Sequence, residues 1–141
     1  MICTFFGHSN AASGIREKTK STIEELLTQG VSQFYVGNNG NFDYIVQSIL
    51  SELIESGKNI DFTVVISRIN EKLIFSDQKH SMYPDGLEKV PPRFAIVKRN
   101  DWMILHSDVA IVYVSHSFTN SFNLMQKATK RGLRIINIAK I

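Results

Sequence analysis

The sequence predicts a three-layer α/β fold: a parallel sheet with helices on both faces. Three observations predict it. Apolar, β-prone runs alternate along the chain with segments whose apolar residues recur at three- and four-residue steps. The later strand-like runs are continuously apolar, the pattern of strands covered on both sides. Glycines and small polar residues sit at the joints between the two kinds of segment. Strands joined through helices pair in parallel, and right-handed crossovers leave few arrangements. The commonest is a Rossmann-like sheet, here five-stranded and mainly parallel, in the order 3-2-1-4-5. Its topological switch lies between strands 1 and 4.

Each element follows in turn. Residues 2–6 form the first strand, broken by Gly7-His8-Ser9-Asn10. Over residues 13–29, Ile15, Ile23, Leu26 and Leu27 share a helical face, and Gly30 is a stop signal. Residues 33–36 are a short strand closed by Gly37-Asn38-Asn39-Gly40. Phe42, Ile45, Val46, Ile49, Leu50 and Leu53 then mark the clearest helix, which runs to Gly57. Residues 61–66 are the third strand. Residues 67–92 have no clean period and hold the turn Tyr83-Pro84-Asp85-Gly86 and the pair Pro91-Pro92. A short helical piece or a hairpin fits there, and an irregular excursion of about 25 residues is most often functional. Residues 93–106 read as a helix and 108–114 as the fourth strand, the most apolar stretch. A last helix over 119–131 ends at Gly132, and residues 133–139 are the fifth strand.

Composition narrows the function classes. With 141 residues the chain makes one domain, spanning 1–141, large enough to bury a core. Hydrophobic residues at 43% and charged residues at 21% exclude a disordered chain. No apolar run approaches the ~20 residues that span a bilayer. The chain opens directly into an apolar run, without the charged front and cleavage site of a secretory leader. A single cysteine, Cys3, allows no internal disulfide. Together these predict a cytoplasmic protein and a buried, structural thiol. The net charge of +3 suits an anionic ligand. The basic cluster Lys127, Lys130, Arg131, Arg134 and Lys140 lacks the interleaved aromatics of a nucleic-acid surface and reads as a solvated helix end, so nucleic acid is not the expected partner.

Three strand-to-helix loops fall at the sheet edge where open parallel sheets bind ligands. The first, Gly7-His8-Ser9-Asn10, offers close backbone approach and small donors, or else an ordinary turn with Asn10 or Ser13 capping the next helix. The second is Gly37-Asn38-Asn39-Gly40-Asn41-Phe42-Asp43. Two glycines follow a strand and open a strong helix, whose amides can hold an anion. Asp43 can accept from ribose hydroxyls or simply balance the helix dipole. The third, Ser115-His116-Ser117-Phe118-Thr119-Asn120-Ser121, offers hydroxyls and one imidazole. Arg93 and Arg99 precede the fourth strand. They are six apart and so off one another's helical face, and the guanidinium fork suits phosphate. Tyr83 and Trp102 can stack on a base or pack in the core. The chain has no Walker A lysine, no Gly-x-Gly-x-x-Gly, no Gly-x-Ser-x-Gly and no Cys/His cluster with metal spacing, so no metal or cofactor is expected.

With these loops placed, the sequence resembles the SLOG superfamily, the Rossmann-like group joining Smf/DprA proteins to the Lonely Guy phosphoribohydrolases. More narrowly, it resembles the small stand-alone SLOG proteins of Gram-positive bacteria and their phages. Three segments carry the likeness: Thr4-Phe5-Phe6-Gly7-His8, the stretch from Phe34 to Asp43, and the stretch from Arg99 to Asp108. The resemblance implies a nucleotide or nucleotide-derived ligand and a homo-oligomer. It places Arg99 where Lonely Guy enzymes keep an arginine near the scissile N-glycosidic bond. Those enzymes continue after strand 4 with Pro-Gly-Gly-x-Gly-Thr-x-x-Glu. Here Thr119 aligns, every glycine is gone, and the glutamate falls on Ser121 or Phe122. A carboxylate stabilises the oxocarbenium character of that cleavage, so its loss favours binding over catalysis.

The expected ligand contacts are therefore Gly7, His8, Ser9, Gly37, Asn38, Asn39, Gly40, Asp43, Arg93, Arg99, His116, Ser117, Thr119 and Asn120. The expected function is non-catalytic binding of a nucleotide-type molecule, by a sensor or a sequestering protein for a signalling nucleotide. One alternative is a Lonely Guy-type nucleoside-monophosphate phosphoribohydrolase, with His116 or Asp43 replacing the glutamate. Another is a regulatory interaction module with a vestigial cleft.

Overall fold

Alternation of side chains along the central strands divides the interior in two. In the computed structural model, which describes residues 1–8, 13–68 and 81–139, strand β1 spans Ile2–Gly7. Cys3 and Phe5 point to one face of the sheet and Phe6 to the other. The chain continues through α1 (Arg16–Thr28), β2 (Gln33–Val36), α2 (Asn41–Glu55), β3 (Asp61–Val65), β4 (Ser81–Met82), α3 (Ala95–Leu105), β5 (Val109–Tyr113), α4 (Asn120–Lys130) and β6 (Arg134–Asn137). All strand pairings are parallel. Helices α1 and α2 cover the Cys3–Phe5 face through Ile23, Leu26, Phe42, Val46, Ile49 and Leu50. Helices α3 and α4 cover the other through Met103, Ile104 and Ala128, against Ala110 and Val112 of β5. The result is the expected α/β, three-layer arrangement.

The sheet order is β4-β3-β2-β1-β5-β6, so the expected five strands in the order 3-2-1-4-5 are corrected to six. The added strand, β4, pairs Ser81 with Val64 and Met82 with Val65 at the edge of the sheet. Two residues show no period, which is why the sequence of this region reads as irregular. The other five strands keep their expected neighbours, β3-β2-β1-β5-β6. Around β4, the irregular region holds 3-10 turns at Leu87–Lys89 and Pro92–Phe94. In the Tyr83–Gly86 turn, Gly86 takes the left-handed φ of 84° that glycine accommodates. Residues 69–80 lie outside the described part. The third helix begins at Ala95 rather than Arg93, because Pro92–Phe94 forms a separate turn.

Cys3 is wholly buried, and burial pushes its thiol far above the usual range, in keeping with a structural role. Lys127 of the basic cluster pairs with Asp101 at 3.1 Å, and Arg134 donates to Gln29 Oε1 at 2.6 Å. Lys140 lies outside the described residues. No helix among the described residues is long and apolar enough to cross a membrane.

β1 and β5 stay paired to their carboxyl ends, but the helices that follow them, α1 and α4, lie on opposite faces, so the chain diverges beyond the two strands. A crevice opens there. Phe34, in the middle of β2, is fully buried and stacks on Phe5 with ring centroids 6.0 Å apart. Phe34→Ala is expected to cost about 3–5 kcal/mol of stability, read from the shift of the urea unfolding midpoint.

Candidate functional site

The crevice at the switch point is a cleft of about 340 Å³. That is within the lower part of the ~300–1,000 Å³ range of small-ligand sites. Gly7 comes to it from β1, Asn39 and Asp43 from the start of α2, Arg99, Asn100 and Met103 from α3, and Asn120 and Ser121 from the start of α4. Three of the loops singled out in the sequence thus converge with one face of α3. A second groove, of about 400 Å³, is walled by Ile104, Leu105, Lys127 and Arg131. These belong to the carboxyl ends of α3 and α4, which lie at the amino-terminal edge of a parallel sheet, away from the switch point.

The cleft is organised around Gly37. A Cβ at this position would lie 2.9 Å from Asp43 Oδ2 and 3.1 Å from both Cζ and Nη1 of Arg99. Glycine here leaves the room that carboxylate and guanidinium both occupy. Arg99 is 2% exposed, and it donates from Nη1 to Val65 O and from Nε to Asn100 Oδ1, both at 2.9 Å. Asp43 Oδ2 accepts the Asn39 amide at 3.0 Å. Burial raises the Asp43 carboxyl above its usual range, against the opposing pull of Arg99 and the Asn39 amide. Gln47, one turn along α2, is buried and donates Nε2 to Gly37 O at 2.8 Å, fixing the loop from below.

The remaining expected contacts fall in different places. Gly7 lines the cleft, but its lack of a side chain serves packing, since a Cβ there would collide with the Phe42 ring. Asn38 is buried beneath its loop. Its carbonyl accepts from Tyr44 Oη at 3.0 Å, while its Oδ1 has no hydrogen-bond partner among the described residues. Gly40 caps α2 in an extended conformation. Arg93 is not brought to the cleft. It sits exposed in the turn before α3, with its guanidinium 4.9 Å from the Phe94 ring centroid. Thr119 Oγ1 accepts from the Phe122 amide at 3.1 Å and so caps α4, which brings Asn120 to the cleft. Ser117 is exposed, and the neighbouring Phe118 is 96% exposed with a positive φ of 62°. Ser9 and Asn10 lie outside the described residues, as does the Ser13 side chain. Trp102 stacks on His106 and meets Tyr35 edge to face, Tyr83 packs against the core, and neither lines the cleft.

The two loop histidines meet beside the cleft rather than in it. Their rings stack at 4.3 Å, 19° from parallel. His8 Nε2 accepts the Ser115 amide at 3.0 Å, which places the ring proton on Nδ1. His116 Nδ1 lies 2.9 Å from Ser115 Oγ. The pair ties the end of β1 to the loop after β5. Among the described residues no group of three or more His, Cys, Asp or Glu side chains can hold a metal ion. Sequence reasoning missed Gln47, Asn100 and the apolar contributions of Phe6, Met103 and Leu124. Gln47 carried a signal: it is a polar residue inside the apolar stripe of α2, one turn after Asp43.

No protein-family model matches the chain, nor does any curated protein.

Two outcomes follow from this geometry. Gly37→Ala forces Asp43 or Arg99 out of place and is expected to cost about 1–3 kcal/mol by urea unfolding. Burial and the neighbouring His116 lower the pKa of His8 from 6.5, so the unfolded chain takes up the proton first. The contribution of His8 is complete above pH 6.5 and is lost as the pH falls from 6.5 toward the depressed folded value. His8→Gln, which keeps an acceptor but does not titrate, is expected to show a shallower loss of melting temperature across that range.

Proposed function

We propose that the protein binds a nucleotide-type small molecule without chemically altering it, as a sensor or a sequestering protein for a signalling nucleotide. The observation that carries this reading is the convergence of Gly7, Asn39, Asp43, Arg99 and Asn120 on one cleft at the switch point of a parallel sheet. The resemblance to SLOG proteins supports the ligand class. The loop after β5 supports the absence of catalysis, because it carries Ser121 and Phe122 where the phosphoribohydrolases keep their glutamate.

A thermal-shift panel of mononucleotides, dinucleotides, ADP-ribose derivatives and cyclic nucleotides tests it. A ligand at about 100 times its Kd adds about 2.7 kcal/mol, so a melting temperature higher by several degrees is expected for one class. No shift with any class, and no nucleotide released on denaturing the purified protein, would overturn the reading.

One observation favours a second reading, N-glycoside hydrolysis: Asp43 supplies the cleft with a carboxylate, though from the start of α2. Chromatography after incubation with nucleoside monophosphates separates the two. Free base above an Asp43→Asn control marks an enzyme, and none is expected.

A further inference from the structure

We propose that the cleft holds its ligand by a ribosyl diol, with the free oxygen of Asp43 as the acceptor. The inference rests on the nucleotide reading above and names the part of the nucleotide that the cleft recognises.

The carboxylate of Asp43 is half committed. Oδ2 accepts from the Asn39 amide, while Oδ1 makes no hydrogen bond to the described residues and Asp43 lines the cleft. A carboxylate accepts and does not donate, so its partner must bring hydrogens. Vicinal hydroxyls do so. Burial already disfavours this carboxylate's charge, and a hydroxyl donor offsets that cost where a second anion would add to it.

Charge in the rest of the lining points the same way. Among the described residues Arg99 is the only basic residue in the lining, and its guanidinium donates to Val65 O and Asn100 Oδ1. The amide of Asn39, which would otherwise offer an anion site at the start of α2, is taken by Asp43. A phosphate placed here would meet the charge of Asp43, while Arg99 already donates to Val65 O and Asn100 Oδ1. The other polar lining residues are Asn39, Asn100, Asn120 and Ser121, neutral groups that both donate and accept. This is a surface for a neutral polyhydroxyl group. The ligand's phosphate therefore lies outside this chamber.

Isothermal calorimetry with the four ribonucleoside monophosphates and their 2′-deoxy and 3′-deoxy counterparts tests the proposal. Hydrogen bonds to a charged group contribute enough for at least about a tenfold difference. The wild type is therefore expected to bind one or more ribonucleotides at least about tenfold more tightly than either deoxy form. Asp43→Asn is expected to bind ribo and deoxy forms alike, at the affinity the wild type has for the deoxy form. Circular dichroism checks that the variant folds. If it does not, the ribo-to-deoxy ratio of the wild type decides alone. Equal binding of ribo and deoxy forms by the wild type overturns the diol assignment and leaves the nucleotide reading standing. No binding of any of them overturns the diol assignment as well, and the broader thermal-shift panel then decides the nucleotide reading separately.

Discussion

The carboxyl end of β2 has to accommodate a carboxylate and a guanidinium in a space that a single methyl group would fill. Gly37 supplies that space, and much of the site depends on it. Arg99 reaches across from α3, on the opposite face of the sheet from α2, to the carbonyl of Val65 at the end of β3. Asp43 turns back on its own loop to take the Asn39 amide. Gln47 grips the Gly37 carbonyl from inside α2. Buried charges are tolerated when they are hydrogen-bonded and near an opposite charge, and both conditions meet at this one residue.

The pairing also changes the meaning of the loop. A glycine-rich turn opening a helix reads as a cradle for phosphate, because helix starts attract anions. Here the protein provides the anion itself. Asp43 fills the electrostatic demand of the helix start, and the loop becomes a wall that offers an acceptor. The Arg99 guanidinium, the natural phosphate fork of the sequence, donates to the Val65 carbonyl and to Asn100. The loop and the arginine each suggest phosphate in isolation, and Asp43 between them alters that reading.

Much of the fold was legible because period and continuity of apolar residues report burial directly. Phe42 to Leu53 read as a helix and prove to be one, and the fully apolar run around Ile111 is a central strand. The edge strand Ser81–Met82 was not legible, since its pairing with β3 is a tertiary fact without local pattern. The site was legible by loop and less so by residue. Asp43, Asn39, Arg99 and Asn120 line the cleft. Arg93 does not, because Pro91 and Pro92 open a separate turn ahead of α3 and carry it outward. His8 and His116 lie far apart in sequence and find each other, a pairing that only the β1–β5 register brings about.

The division of the interior by the sheet has a consequence for how such a protein changes over generations. The α1–α2 side and the α3–α4 side bury separate sets of side chains. Substitutions on one side act nearly independently of those on the other, as distant sites generally do. Each interior can therefore drift under its own constraints. The cleft is where that independence ends, because Phe5 belongs to one interior and Phe6 and Met103 to the other, and all three line it. A bound molecule would touch both halves, and its fit is one that each half must keep satisfying as the other varies.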